Sequence, residues 1–284
     1  MIKYLAWDVL ARKRVFFYFF TESNMHMRKT ILAVTAATVL STPLLASAAD
    51  SPFSANVSIA SQYIYRGIAQ SGAKPAIAGG FDYANPNGLY AGTWASSISW
   101  LQDTGAASSA GMEWDFYGGY KGTVSGNLGF DVGLLHYNYP LRNLTSGFLR
   151  PDTTEVYGGL SYKWLTVKYS RTVGTALFGW ANTSGGKTTG SGYLDVTGSF
   201  DLGGGWGISA HAGHQNVNGF SPASYSDWRL GVTKDVGFGT LGLTLSDTNA
   251  QDSCSTGQAY CFGPAGGQYS AGKGAVVLSL SKSF

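Results

Sequence analysis

Twelve charged residues fall on one face of short alternating stretches: Arg66, Asp82, Glu113, Asp115, Lys121, Asp131, Glu155, Lys163, Lys168, Asp195, Asp201 and Arg229. Successive side chains of an extended strand point to opposite sides. Glu113, Asp115, Tyr117 and Lys121 therefore share one side, while Met112, Trp114, Phe116 and Tyr120 share the other. Charged side chains that line a wet passage set ion preference through pore size and field. Here the signs are mixed, so the expected behaviour is passive passage of small solutes with weak charge selectivity. The alternative is that the charges pair across a narrow lumen and fill it, leaving a plugged, structural or adhesive barrel. Arg66 sits in YRG at the end of the first strand. It reads either as a rim cation or as the partner of a lumen acid such as Glu113.

Other reactive residue types give less. Cys254 and Cys261 are the only cysteines and lie in the longest connection, which in a secreted chain predicts a disulfide stapling a loop tip. Zinc wants four ligands, and no histidine is near this pair in sequence. His211 and His214 flank Gly213 on opposite parities, and His136 has no nucleophile motif beside it. The one Gly-Lys-Thr, Gly186–Thr188, lacks the strand-to-helix setting of a phosphate loop. Neither metal nor cofactor is expected, and a hydrolase is the least favoured reading.

The elements that must position these groups are strands. The clearest alternations are Met112–Lys121, Leu128–Leu134, Glu155–Lys163 and Tyr193–Leu202, with weaker ones near Asn56–Arg66, Pro75–Ala84, Leu89–Trp100, Leu165–Val173, Trp206–Gln215, Trp228–Lys234, Leu241–Asp247 and Lys273–Phe284. Many run about ten residues, the length that crosses a bilayer at a tilt. Their connections alternate strictly. Short ones lie near 85–88, 122–127, 163–164, 203–205 and 235–239, and long ones near 67–74, 102–111, 140–153, 176–190, 216–226 and 248–272. The expected fold is all-β: a closed antiparallel up-and-down transmembrane β-barrel of about twelve strands, with ten or fourteen as alternatives. A soluble β-sandwich would leave its apolar faces in water. Aromatic residues gather near strand ends and predict two interfacial girdles. Tyr83, Tyr90, Tyr120, Tyr162, Trp164, Phe200 and Trp206 fall at the short-turn rim, and Tyr65, Trp100, Trp114 and Trp228 at the other.

Composition agrees with this class. Charged residues make up 12% of the chain, against about 25% in soluble domains, while aromatics reach 14% and glycines number 40. Residues 27–48 have the basic start, apolar stretch and small-residue end of a signal peptide cleaved after Ala48. Residues 1–26 match no later pattern and read as an upstream extension, the alternative being an anchoring segment; 49–284 is the barrel. Residues 1–48 hold six bases (Lys3, Arg12, Lys13, Arg14, Arg28, Lys29) and two acids (Asp8, Glu22) of the 19 and 16 in the chain. That leaves 13 bases and 14 acids, a net of −1 in place of +3. The basic balance belongs to the leader and gives no support to nucleic-acid binding.

Ser61–Gln70 (SQYIYRGIAQ), Lys74–Ser97 and Glu113–Gly122 (EWDFYGGYKG) resemble the TorF-type porin family of proteobacterial outer-membrane barrels, partly catalogued as proteins of unknown function. The resemblance covers the mature chain and implies an outer-membrane porin. It brings no substrate and no catalytic residue. The C-terminal segment resembles the assembly signal of outer-membrane proteins, with Val276, Leu278, Leu280 and Phe284 on one parity and Lys282 departing from the pattern. The expected partners are outer-membrane lipid, the barrel-assembly machinery and small solutes. In such barrels both termini and the short turns are periplasmic, and the long loops extracellular.

Overall fold

The computed structural model describes residues 51–264 and 266–284. The readings of 1–26 and 27–48 fall outside these residues. Twelve strands close into one antiparallel barrel in sequence order. They are β1 (Phe53–Ala60), β2 (Ala76–Ala84), β3 (Leu89–Ser97), β4 (Met112–Ser125), β5 (Leu128–Asn138) and β6 (Thr153–Tyr162), followed by β7 (Leu165–Thr172), β8 (Gly192–Gly203), β9 (Trp206–Asn216), β10 (Tyr225–Asp235), β11 (Thr240–Thr248) and β12 (Ala275–Ser283). The wall closes where β1 pairs β12, with Asn56 opposite Ser283 and Ala60 opposite Ser279. Closure leaves no unpaired edge, which lipid would not tolerate. An even strand number brings the start of β1 and the end of β12 to the short-turn end, where Ala55 and Phe284 exchange backbone hydrogen bonds.

The short turns rest on local chemistry. Gly88 has φ +101, and a Cβ there would collide with the Lys121 carbonyl. Lys163 takes a left-handed φ of 54 in the two-residue turn between Tyr162 and Leu165. Lys163 is thus an exposed turn residue and does not line the lumen, contrary to the parity reading. Parity runs only as far as the strand does. Asp201, expected in the lumen, is likewise exposed at the short-turn mouth, its Oδ1 accepting the Gly203 N–H at 2.8 Å.

Apolar side chains cover the outside. Val57, Ile59, Val132, Leu134, Leu160, Leu243, Leu245, Val276 and Leu278 are all exposed, and on β4 Trp114 and Phe116 are exposed while Glu113 and Asp115 are buried. Tyr120, Tyr162, Trp164, Phe200 and Trp206 are exposed toward the short-turn rim, and Trp114 and Trp228 toward the other. Three expected girdle members turn inward instead. Tyr90 bonds Asp131 in the lumen, Tyr65 meets Tyr137, and Trp100 packs within the long-loop mouth.

The long connections, 61–75, 98–111, 139–152, 173–191, 217–224 and 249–274, are named L1 to L6. The first strand ends at Ala60, short of the expected Arg66. Arg66 and Gly67, at φ 46 and 77, form a two-residue turn in which Tyr65 pairs Ile68. Two consecutive positive φ values make a tight hairpin whose twist suits flanking strands, so L1 doubles back. β3 stops at Ser97, and residues expected to extend it begin a short helix, Trp100–Asp103. L2 and L3 pair as a ribbon, Ala107–Ser109 against Arg142–Leu144. In L6, Tyr269 donates to Asp103 at 2.8 Å, and burial together with that carboxylate pushes the hydroxyl pKa up, keeping it a donor. Two apolar clusters fill this mouth, one around Leu101, Tyr137 and Tyr139, the other around Leu177, Tyr225 and Tyr260.

Cys254 and Cys261 form the expected disulfide in L6. A bridge closing so short a loop contributes about 2–3 kcal/mol against loop disorder on the chain-entropy account. Replacing both by serine is expected to leave the barrel assembled and to speed protease cleavage within 249–274 several-fold in intact vesicles. Unchanged cleavage would show that the bond constrains nothing there.

Candidate solute path and its constriction

L1 leaves β1 and crosses the lumen to the opposite wall. Arg66 meets Glu155 of β6 through two parallel hydrogen bonds of 3.0 and 2.8 Å, both side chains being buried. Paired N–H donors on a carboxylate give the strong, oriented form of this contact. The Arg66 guanidinium lies 4.2 Å from the Tyr193 ring centroid of β8 and 5.0 Å from that of Tyr65. Tyr225 of β10 donates to the Arg66 carbonyl at 2.8 Å. Tyr137 donates to Glu155 at 3.2 Å, and its hydroxyl also bonds that of Tyr65. The partner of Arg66 is therefore Glu155 and not the expected Glu113, because the hairpin carries the guanidinium away from its own wall. Glu113 instead accepts from Tyr63 at 2.9 Å and Tyr139 at 3.0 Å. Burial, then the adjacent Glu113, pushes both hydroxyl pKa values up, so both tyrosines stay donors.

Nearer the short turns, tyrosines and charges form a belt. Tyr90 bonds Asp131 at 2.6 Å and also Tyr157, and Tyr117 donates to Asp82 at 2.6 Å. Lys121 lies 5.2 Å from the Tyr90 ring centroid and Lys168 5.4 Å from that of Tyr157. On the β8–β10 wall His211 is the hub. Its Nε2 lies 3.1 Å from Asp227 and 3.0 Å from the Tyr193 hydroxyl, and its Nδ1 lies 3.0 Å from Thr197 and 3.5 Å from Asp195. Tyr193 also donates to Asp227 at 2.8 Å, and Arg229 is the cross-strand neighbour of His211. His214 is exposed on the other face of that strand. Glycines make room for the rings. A Cβ at Gly133 would strike the Tyr157 hydroxyl, and one at Gly213 would strike that of Tyr193.

The wall formed by β11, β12, β1 and β2 is different. Ser58, Ala78, Thr244, Ser246 and Ser279, with Ser96 of the adjoining β3, line an open groove that Tyr63, Gln62 and Arg229 also border. Small hydroxyl side chains leave a groove there, while tyrosines and ion pairs occupy the opposite half. The structure thus brings ten of the twelve candidate charges to the lumen side and leaves Lys163 and Asp201 at the short-turn end. Sequence reasoning missed Asp227, His211 and the lumen tyrosines. Their signal was available, since Tyr157 lies two residues from Glu155, Tyr193 two from Asp195, and Asp227 two from Arg229. β10 begins at Tyr225, three residues before the expected Trp228. Val276, Leu278 and Phe284 of the terminal segment are all exposed on the outside.

Geometry of this kind suits binding and passage. His211 holds acceptors on both ring nitrogens in a buried site, an arrangement that fixes an imidazole in place. Among the described residues no group of three His, Cys, Asp or Glu side chains is arranged to hold a metal ion.

The chain belongs to a bacterial family of unknown function, Gcw_chp, whose model matches residues 46–284. No curated protein matches it. Among solved structures, the KdgM porin is 7% identical over 81% of this chain and 98% of its own, with a TM-score of 0.48. The NanC porin is 9% identical over 80% of this chain and 97% of its own, with a TM-score of 0.49. Pseudomonas aeruginosa OprD is 11% identical over 81% and 66%, with a TM-score of 0.37.

Proposed function

We propose that this Gcw_chp protein is a bacterial outer-membrane channel through which small solutes diffuse passively. The observation that carries this reading is a closed wall, apolar outside and polar within, that encloses a hydroxyl-lined groove beside the inward-folded loops. An exposed apolar surface of that extent needs lipid. The likeness of Ser61–Gly122 to TorF-type porins supports the same reading. The termini and short turns face the periplasm and L1–L6 the exterior, and the segment ending in Phe284 is the handle for the assembly machinery.

The lumen side chains Arg66, Asp82, Glu113, Asp115, Lys121, Asp131, Glu155, Lys168, Asp195 and Arg229 line the path or narrow it. Their signs are mixed and part of the charge is matched across the lumen, as in Arg66–Glu155, so overall charge selectivity is weak. Liposome swelling with sugars and amino acids of graded size is expected to show uptake falling steeply with size. Folded protein giving neither swelling nor current would reject the channel and favour a plugged, adhesive barrel.

A further inference from the structure

From the mouth of the barrel we infer a binding site for a small organic ammonium ion, held by Asp115 and Glu113 against the rings of Trp94 and Tyr63. The inference rests on the channel reading for how the ion arrives, but not for whether it binds.

The argument begins with Arg66. Its guanidinium is an organic cation held inside this lumen by a carboxylate, Glu155, and by aromatic faces, Tyr193 and Tyr65. The β3–β4 wall offers the same chemistry. Glu113 and Asp115 project from one face of β4 and are buried, at 2% and 7% exposure. Among the described residues, the donors to Glu113 are neutral, the hydroxyls of Tyr63 and Tyr139. The Asp115 Oδ1 is buried and has no hydrogen-bond partner. Leaving a buried carboxylate oxygen without a partner is costly. Something positive or hydrogen-donating is therefore called for at this point.

The surroundings narrow the class. Trp94 is the cross-strand neighbour of Asp115 and is buried, and its ring stands 5.5 Å from that of Tyr63, edge to face. A cation over an indole or phenol face is attracted by the ring quadrupole, more strongly when desolvated. Metal chelation is disfavoured, because no three ligating side chains converge among the described residues. Two carboxylates beside aromatic faces suit an alkylammonium, whose N–H groups bond oxygen while its carbons meet the rings. Access is from the hydroxyl-lined groove, since Tyr63 and Ser96 border that space and Ser96 is the cross-strand neighbour of Glu113.

Two measurements test this on the full barrel. Calorimetric titration of detergent-solubilised protein with methylammonium chloride, against potassium chloride as reference, should show saturable binding in the millimolar range. Asp115→Asn should weaken it at least tenfold, and Glu113→Gln, which keeps an acceptor oxygen for one of the two tyrosines, at least threefold. In planar bilayers carrying potassium current, methylammonium should reduce the current over the same concentrations, and Asp115→Asn should abolish that reduction. Saturable binding without any current would sink the channel and leave the site standing. Current without methylammonium binding, or binding unchanged in both variants, would overturn the site and leave the channel standing. Should Asp115→Asn fail to assemble, Glu113→Gln decides alone: an unchanged titration rejects the site.

Discussion

Arg66→Ala is expected to raise single-channel conductance at least threefold while leaving the barrel assembled. Removing one partner of a buried, hydrogen-bonded ion pair costs about 3–5 kcal/mol, mostly because the other charge is left behind. Here the abandoned charge is Glu155, 1% exposed, with Tyr137 among the described residues left to serve it. The barrel itself need not bear that cost. L1 is a connection and can open locally, at a free energy below that of global unfolding, so water reaches Glu155 once the hairpin lifts from the β6–β8 wall. Lifting it also frees the Tyr193 face and removes the strap from the lumen. The double variant Arg66→Met with Glu155→Met separates charge from packing. Replacing a buried pair by apolar side chains of similar volume is often neutral, so this variant should keep the strap down and conduct like wild type. Planar-bilayer recordings of both, with heat-modifiable gel mobility as the check on folding, settle the matter. Wild-type conductance in Arg66→Ala would show that L1 does not obstruct the path.

The barrel was legible in the sequence because its information is local. On β4, Glu113 and Asp115 against Trp114 and Phe116 is a contrast between adjacent residues, and the observed burial follows it residue by residue. The alternation of short and long connections then gave a strand count near twelve and separated a short-turn end from a long-loop end without any knowledge of pairing. What was lost is whatever depends on distant contacts. The path of L1 is set by Arg66 meeting Glu155, 89 residues on, and by Tyr225 reaching back 159 residues to the Arg66 carbonyl. No spacing rule reports such a pairing. A local signal did exist in the Arg66–Gly67 turn, but arginine is a poor marker of positive φ. Tyr90 illustrates a second kind of loss. Tyrosine suits both an interface and a crowded lumen, and the deciding fact is its parity with Gly92 and Trp94, which face inward.

The same parity explains why half of the lumen is full and half open. Inward positions on β4 to β10 carry tyrosines, charges and the glycines that seat them. Where β11, β12, β1, β2 and β3 border the groove they carry serine, threonine and alanine, with Val277 among them, while Asp82 of β2 joins the tyrosine belt lower down. An empty groove along one wall is thus written into side-chain volume, and the charge pairs of the other wall hold the filling in place.

Alternation also yields the sharpest contrast between two neighbouring positions. Leu245 is 43% exposed on the outside of β11, near mid-strand, and Thr244 lines the groove. A lysine facing lipid near the midplane of a transmembrane barrel costs about 2–4 kcal/mol. Leu245→Lys is therefore expected to cut the assembled fraction in vesicles at least tenfold, read as loss of the heat-modifiable band. Thr244→Lys places the same charge one residue away, where water and lumen dipoles solvate it, and should assemble normally. Its long side chain would instead fill the groove and lower conductance by half or more. Equal assembly of the two lysine variants would mean that the outer face of β11 does not meet lipid, and a closed barrel with dry surroundings would no longer describe this protein. Equal conductance of Thr244→Lys and wild type would move the solute path elsewhere in the lumen, to the tyrosine-lined wall that L1 now straps shut.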